Sequence, residues 1–182
     1  MRIRHPLITM ASVLVLIAAL LVASAGASAP DTPRRPACTI TGTNGPDRLH
    51  GTSGPDVICA LGGNDDVFGR GGDDALILGR GSDWFMAGAG DDLVFAGGQR
   101  DSGYGDRGND RIYLQRGEDW AVWAYFGADV VSGGKGKDDC LNVADGKGND
   151  RVRGGPGRDI FDADASDTVR SAEIGPVDCG GA

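Results

Sequence analysis

The chain has 182 residues, 32 of them Gly, and a formal net charge of −8; its 26 acidic residues are 24 Asp and only two Glu, Glu118 and Glu173. Gly and Asp are both poor helix formers, so this composition excludes a helical bundle and a doubly wound α/β fold. Eight Pro and the lack of a three-residue Gly period exclude collagen. The acidic balance argues against nucleic acid as a partner, because phosphate binding needs clustered Lys and Arg.

Residues 1–27 have the three-part pattern of a secretory signal peptide. Arg2, Arg4 and His5 are followed by an apolar run from Leu7 to Val22 and then by small residues around Ala25 and Ala27. The expectation is a secreted, extracellular protein with no membrane span after cleavage. Residues 28–41, with Pro30, Pro33 and Pro36, form a stiff lead-in and N-terminal cap.

From Gly42 the sequence falls into nine-residue units, and the body of the protein is expected over residues 42–162. Thirteen units follow one another, with one extra residue placed near Trp123 and a three-residue insertion placed at Asn142 to Ala144. Position six is Asp throughout: Asp47, Asp56, Asp65, Asp74, Asp83, Asp92, Asp101, Asp110, Asp119, Asp129, Asp138, Asp150 and Asp159. Position four is Gly except at Gln99, and position eight is mostly apolar, with Gly103, Ala121 and Cys140 as its weaker members.

Gly at position four supplies tight-turn backbone angles. Asp at six ends the turn, and residues seven to nine form a short strand with position eight pointing inward. One unit cannot bury its single apolar side chain. Two units close one coil, and stacked coils bury position eight between two parallel sheets. Position-six Asp residues eighteen apart then become neighbours, in one column from Asp47 to Asp119 and another from Asp56 to Asp110. Stacked carboxylates repel, and a hard divalent cation relieves them. Ca²⁺ suits carboxylates and backbone carbonyls better than Mg²⁺, which demands a small octahedron.

Segments such as Gly62 to Asp66, Arg70 to Asp74 and Gly154 to Asp159 resemble the GGxGxDxUx nonapeptides of the haemolysin-type calcium-binding (RTX) family. The resemblance implies an all-β, right-handed parallel β-roll with Ca²⁺ in its turns, held by loop carbonyls and position-six Asp side chains. The expected ligands are Asp47, Asp56, Asp65, Asp74, Asp83, Asp92, Asp110, Asp119, Asp129, Asp138, Asp150 and Asp159. Asp101 is left out, because its unit has Gln99 at the turn and Gly103 at the core position.

Four Cys in an exported chain fit two disulfides. Three pairings are possible. The most local joins Cys38 to Cys59 across one coil and Cys140 to Cys179, tying a C-terminal cap over residues 163–182. Outward position nine carries His50, Phe68, Met86, Tyr104 and Val122 on one face and Cys59, Ile77, Phe95 and Tyr113 on the other, with Trp84 and Trp120 at position seven. This ladder either packs on itself across strands or binds a cell-surface glycan or protein partner, as an adhesion module would. No catalytic role is expected: after signal removal His50 is the one histidine left, and neither HExxH nor GxSxG occurs.

Overall fold

The computed structural model describes residues 37–137 and 140–170, with the side chain of Ala121 excepted. The expected signal segment, Asp138, Cys179 and most of the expected C-terminal cap lie outside the described residues. Among those residues there is no helix, and none long and apolar enough to cross a membrane.

Among the described residues fifteen short strands make two parallel sheets, so the chain is a parallel β-solenoid of about seven coils. The first sheet contains β1 (Ile40–Thr41), β3 (Val57–Cys59), β5 (Ala75–Arg80), β7 (Leu93–Gly98), β9 (Arg111–Arg116), β11 (Val130–Ser132), β13 (Arg151–Arg153) and β15 (Thr168–Arg170), in that spatial order. The second contains β2 (Arg48–His50), β4 (Asp66–Gly71), β6 (Trp84–Ala89), β8 (Ser102–Arg107), β10 (Ala121–Trp123), β12 (Leu141–Asn142) and β14 (Phe161–Asp162). Successive strands alternate between sheets, and each pairs with the strand one coil away. Projecting the nine-residue phase backward from Gly42 puts Ile40 at position eight of a leading unit, and Ile40 stands opposite Ile58; Val169 stands opposite Val152, so the stack continues beyond residue 162.

The core has two inward columns per sheet where the sequence pattern marked one. Position eight supplies Ile58, Val67, Leu76, Phe85, Val94 and Ile112, all fully buried. Position one supplies a second set, Ala60, Leu78, Ala87, Ala96, Leu114 and Ala124, equally buried. The reason is strand length. β4 to β9 run for six residues each, from position seven to position three of the next unit, and side-chain alternation turns both eight and one inward. Leu78 and Leu114, which depart from a Gly consensus at position one, are core residues.

Two details of phase are corrected by the register. Val122 pairs with Gly103 and is fully buried, so Val122 holds position eight and Ala121 position seven. The extra residue is Trp120, which is 62% exposed and bulges out before β10. Likewise Leu141, not Cys140, stands opposite Val122, and Val143 is buried at position one. Asn142 and Val143 therefore belong to the coil, and the surplus residues lie outside them.

Gly103 is a fitted position and not a gap. A Cβ there would lie 2.6 Å from the Phe85 ring and 2.2 Å from the Phe85 carbonyl oxygen. The largest core side chain and the smallest position-eight residue are neighbours in adjacent coils, opposite each other in β6 and β8.

Candidate metal centre

Gly at position four lies in the left-handed region at most turns, for example Gly72 at φ +101° and Gly90 at φ +138°, but not at Gly45, Gly54, Gly117 or Gly127. A Cβ on Gly90 would lie 2.3 Å from the Gly72 carbonyl oxygen, so close stacking as well as dihedral freedom requires Gly. Position two is left-handed in several units even where it is not Gly: Leu61, Arg70, Asp106 and Gln115 have φ between +74° and +79°, whereas Thr43 and Thr52 are not left-handed. Gln99, the exception at position four, keeps the turn at φ +82°.

The turn delivers the position-six Asp to the same place in every coil. There it bonds along the stack. The Asp47 N–H donates to Asp65 Oδ1 at 2.8 Å, Asp65 to Asp83 at 2.9 Å, Asp83 to Asp101 at 2.9 Å and Asp101 to Asp119 at 2.9 Å. The second column runs from Asp56 through Asp74, Asp92, Asp110, Asp129 and Asp150 with N–H to Oδ1 distances of 2.7–3.0 Å. The two expected columns thus exist as hydrogen-bonded ladders, and the second extends past Asp110. Asp101 is fully buried within the first and bonded like its neighbours. Asp159 is also buried at its turn.

One carboxylate oxygen is used by this bond. The other, Oδ2, is buried without a hydrogen-bond partner at Asp65, Asp74, Asp83, Asp92, Asp101, Asp110, Asp129 and Asp150. A buried carboxylate oxygen with no donor is costly. Burial accordingly pushes the carboxyl pKa up, opposed by the backbone hydrogen bond and reinforced by the neighbouring carboxylates: to about 6 at Asp74 and Asp83, about 7 at Asp92, Asp110 and Asp129, and about 8 at Asp101.

The ends of the columns differ, which the sequence pattern did not reveal. Asp47 Oδ2 accepts the Thr43 N–H at 2.6 Å and the Thr43 O–H at 2.9 Å. Asp56 Oδ2 accepts the same pair from Thr52 at 2.7 and 2.9 Å, and its Oδ1 accepts the Thr39 O–H at 3.0 Å. The Thr52 N–H and O–H hold the Asp56 carboxyl below the usual range, opposite to Asp74 one coil on. At the other end Asp167 accepts from the Asp150 and Asp164 N–H groups at 3.1 and 2.6 Å, using both oxygens. Thr at position two is visible at Thr43 and Thr52 as a departure from Gly; its role as a donor emerges only when the turn closes.

Position five carries a parallel exposed ladder. Asp73, Asp91 and Asn109 each accept the N–H one coil further along, at 2.8–2.9 Å. This gives the first residue of the adjacent pairs Asp73-Asp74 and Asp91-Asp92 a place in the stack.

The donor set fits a hard cation. It offers carboxylate oxygens and turn carbonyls, and Cys38 and Cys59 are joined in a disulfide, as the most local pairing predicts. Cys140 is not free; its expected partner Cys179 lies outside the described residues. Among the described residues no three His, Cys, Asp or Glu side chains converge. An ion at a turn would therefore need backbone carbonyls and water beside any Asp Oδ2 that held it.

The family model for the RTX calcium-binding nonapeptide repeat (4 copies) matches residues 41–76, 68–103, 77–112, 122–140 and 142–169, together more than half of the chain. The chain belongs to the RTX calcium-binding repeat family. RTX nonapeptide repeats bind Ca²⁺. No curated protein and no solved structure matches it.

In this RTX roll the aromatic ladder packs on itself. His50 stacks on Phe68 with ring centroids 4.6 Å apart, Phe68 lies 5.2 Å from Trp84, and Trp84 lies 6.3 Å from Tyr104. Tyr104 stacks on Trp123 at 4.8 Å, so Trp123 continues the ladder where Val122 was expected. Cross-strand contacts of this kind stabilise the sheet.

Proposed function

We propose that this protein is an exported calcium-binding roll whose coils fold when Ca²⁺ enters the turns. The observation that carries this reading is the line of buried Oδ2 atoms without donors at Asp65, Asp74, Asp83, Asp92, Asp101, Asp110, Asp129 and Asp150. Negative charge at these atoms is desolvated and mutually repulsive, and a divalent ion held by Oδ2 and neighbouring carbonyls removes both penalties. Binding energy then becomes folding energy, as in other small metal-dependent domains. Extracellular modules bind Ca²⁺ at roughly 10⁻⁴–10⁻³ M, so the chain stays open where Ca²⁺ is scarce and closes outside the cell.

The signal-like segment at residues 1–27 supports export, and the calcium-binding repeats matched over most of residues 41–169 support a binding role. Circular dichroism in millimolar Ca²⁺ and in chelator tests the reading. A β spectrum that appears only with Ca²⁺ supports it, and the same spectrum under both conditions overturns it.

A further inference from the structure

The outward face of the first sheet carries charge opposite to the rest of the protein. Between position nine and position three of this sheet runs an open groove of about 790 Å³. Its floor is the position-two backbone column of Gly79, Gly97, Gln115, Gly134 and Gly155. Its walls carry Arg80, Arg116, Lys135 and Arg153. A second depression shares Ser132 and Arg153 with it and adds Arg151 and Arg170. No Asp or Glu lines either one. Among the described residues none of these six cations is held in an ion pair, and all six are exposed.

Placement along the stack defines the ligand. Arg80, Gly98 and Arg116 occupy successive coils, and Lys135 bridges to Arg116 in the next. With strands about 4.8 Å apart, the groove from β5 to β13 is on the order of 19 Å long. It therefore suits a linear polymer lying along the roll axis. Arg80, Arg116 and Lys135 along one wall, with neutral Gly98 between the first two, and Arg153 on the other wall match an extended polyanion of modest charge density. A duplex nucleic acid places a phosphate every 3.4 Å or so along each strand, a denser charge than these four cations neutralise over that length. Tyr113, half-buried and stacked on Phe95 at 5.4 Å, adds an aromatic surface beside the cations. Arg presents a planar fork that takes a carboxylate bidentately.

We propose that this groove binds a linear carboxylated polysaccharide, with Arg80, Arg116, Lys135 and Arg153 pairing with its carboxylates. The site is separate from the turns and lies on the sheet opposite the stack that runs from His50 to Trp123.

The test is calorimetric titration of the Ca²⁺-loaded full chain with hyaluronan oligosaccharides. The same oligosaccharides with their carboxyl groups reduced, and an oligothymidylate of similar length, are the comparators. Binding of the acidic glycan alone, weakened about tenfold by R116A/K135A and unchanged by R48A/R107A on the opposite sheet, supports the proposal. Lys135→Gln alone, at an exposed position, gives the same reading with smaller amplitude should the double variant lose its β spectrum. No binding of the acidic glycan, equal binding of the reduced glycan, tighter binding of the oligonucleotide, or indifference to the groove substitutions overturns it.

Discussion

The Asp83 N–H donates to Asp101 Oδ1 at 2.9 Å, from one coil to the next. The same contact recurs along both Asp columns, and at Asp65, Asp74, Asp83, Asp92, Asp101, Asp110, Asp129 and Asp150 it leaves the second carboxylate oxygen without a hydrogen-bond partner. Hydrogen bonding sets the position of the group, and the spare oxygen sets its chemistry.

Replacing Asp101 with Asn separates these two roles. The amide oxygen still accepts from Asp83, while the ionisable carboxyl, which must stay protonated to be buried without metal, disappears. The expected outcome is a metal-free chain that melts higher than the parent and binds one Ca²⁺ fewer. Differential scanning calorimetry in chelator and calorimetric counting of bound Ca²⁺ check the two halves.

The raised carboxyl pKa values give a pH dependence with a definite sign. In the folded metal-free chain these groups keep protons that an unfolded chain, with Asp near 3.8, has already lost. That stabilisation is full below the unfolded value and disappears as pH rises through about 6 at Asp74 and about 8 at Asp101. Acidification from pH 8 to pH 5 is therefore expected to promote β structure in chelator, read by circular dichroism. Ca²⁺ must displace the same protons, so its affinity falls over this range and binding releases protons near pH 7. Titrations in buffers of different ionisation enthalpy measure that release.

Thr43 and Thr52 close the first two rungs without a metal. Thr52→Val removes the hydroxyl donor to Asp56 Oδ2 but keeps the backbone donor. A loss of about 1 kcal/mol is expected, equal with and without Ca²⁺. The matching change in the interior, Asp74→Asn, is expected to act strongly on Ca²⁺ dependence. Denaturant unfolding of both variants under both conditions distinguishes the two kinds of rung.

Phe85 and Gly103 form one packing unit. Phe85→Ala is expected to cost about 3–5 kcal/mol by opening a cavity between β6 and β8. Gly103→Ala is destabilising for the opposite reason, since its Cβ meets both the Phe85 ring and the Phe85 carbonyl. Combining Gly103→Ala with Phe85→Leu relieves the ring contact alone, so rescue is partial. Chemical denaturation in saturating Ca²⁺ measures all three.

The Cys38–Cys59 bridge closes a 21-residue separation at the first coil. Its removal as Cys38→Ser/Cys59→Ser is expected to cost about 2–4 kcal/mol. Thermal melts of the oxidised parent and the double variant, both in Ca²⁺, check it.

The sequence by itself determined the repeat, the two Asp columns, the parallel coils and the family, because a nine-residue period is a local property that survives in one dimension. It also placed Ile40 in a leading coil and joined Cys38 to Cys59, since both follow from the same phase. Only the tertiary structure decided what happens between coils. Leu78, Leu114 and Val143 are core residues because paired strands lengthen beyond the three residues that the repeat marks. Trp120 is the extra residue because pairing with β8 forces Val122 inward. Gly103 is complementary to Phe85 only once the coils are stacked. Whether an Asp is a closed or an open rung depends on which donors face its second oxygen, Thr43 and Thr52 at one end and none in the interior. The basic groove has the same origin: Arg80, Arg116, Lys135 and Arg153 are scattered through an acidic sequence, and stacking at one residue per coil gathers them on one face.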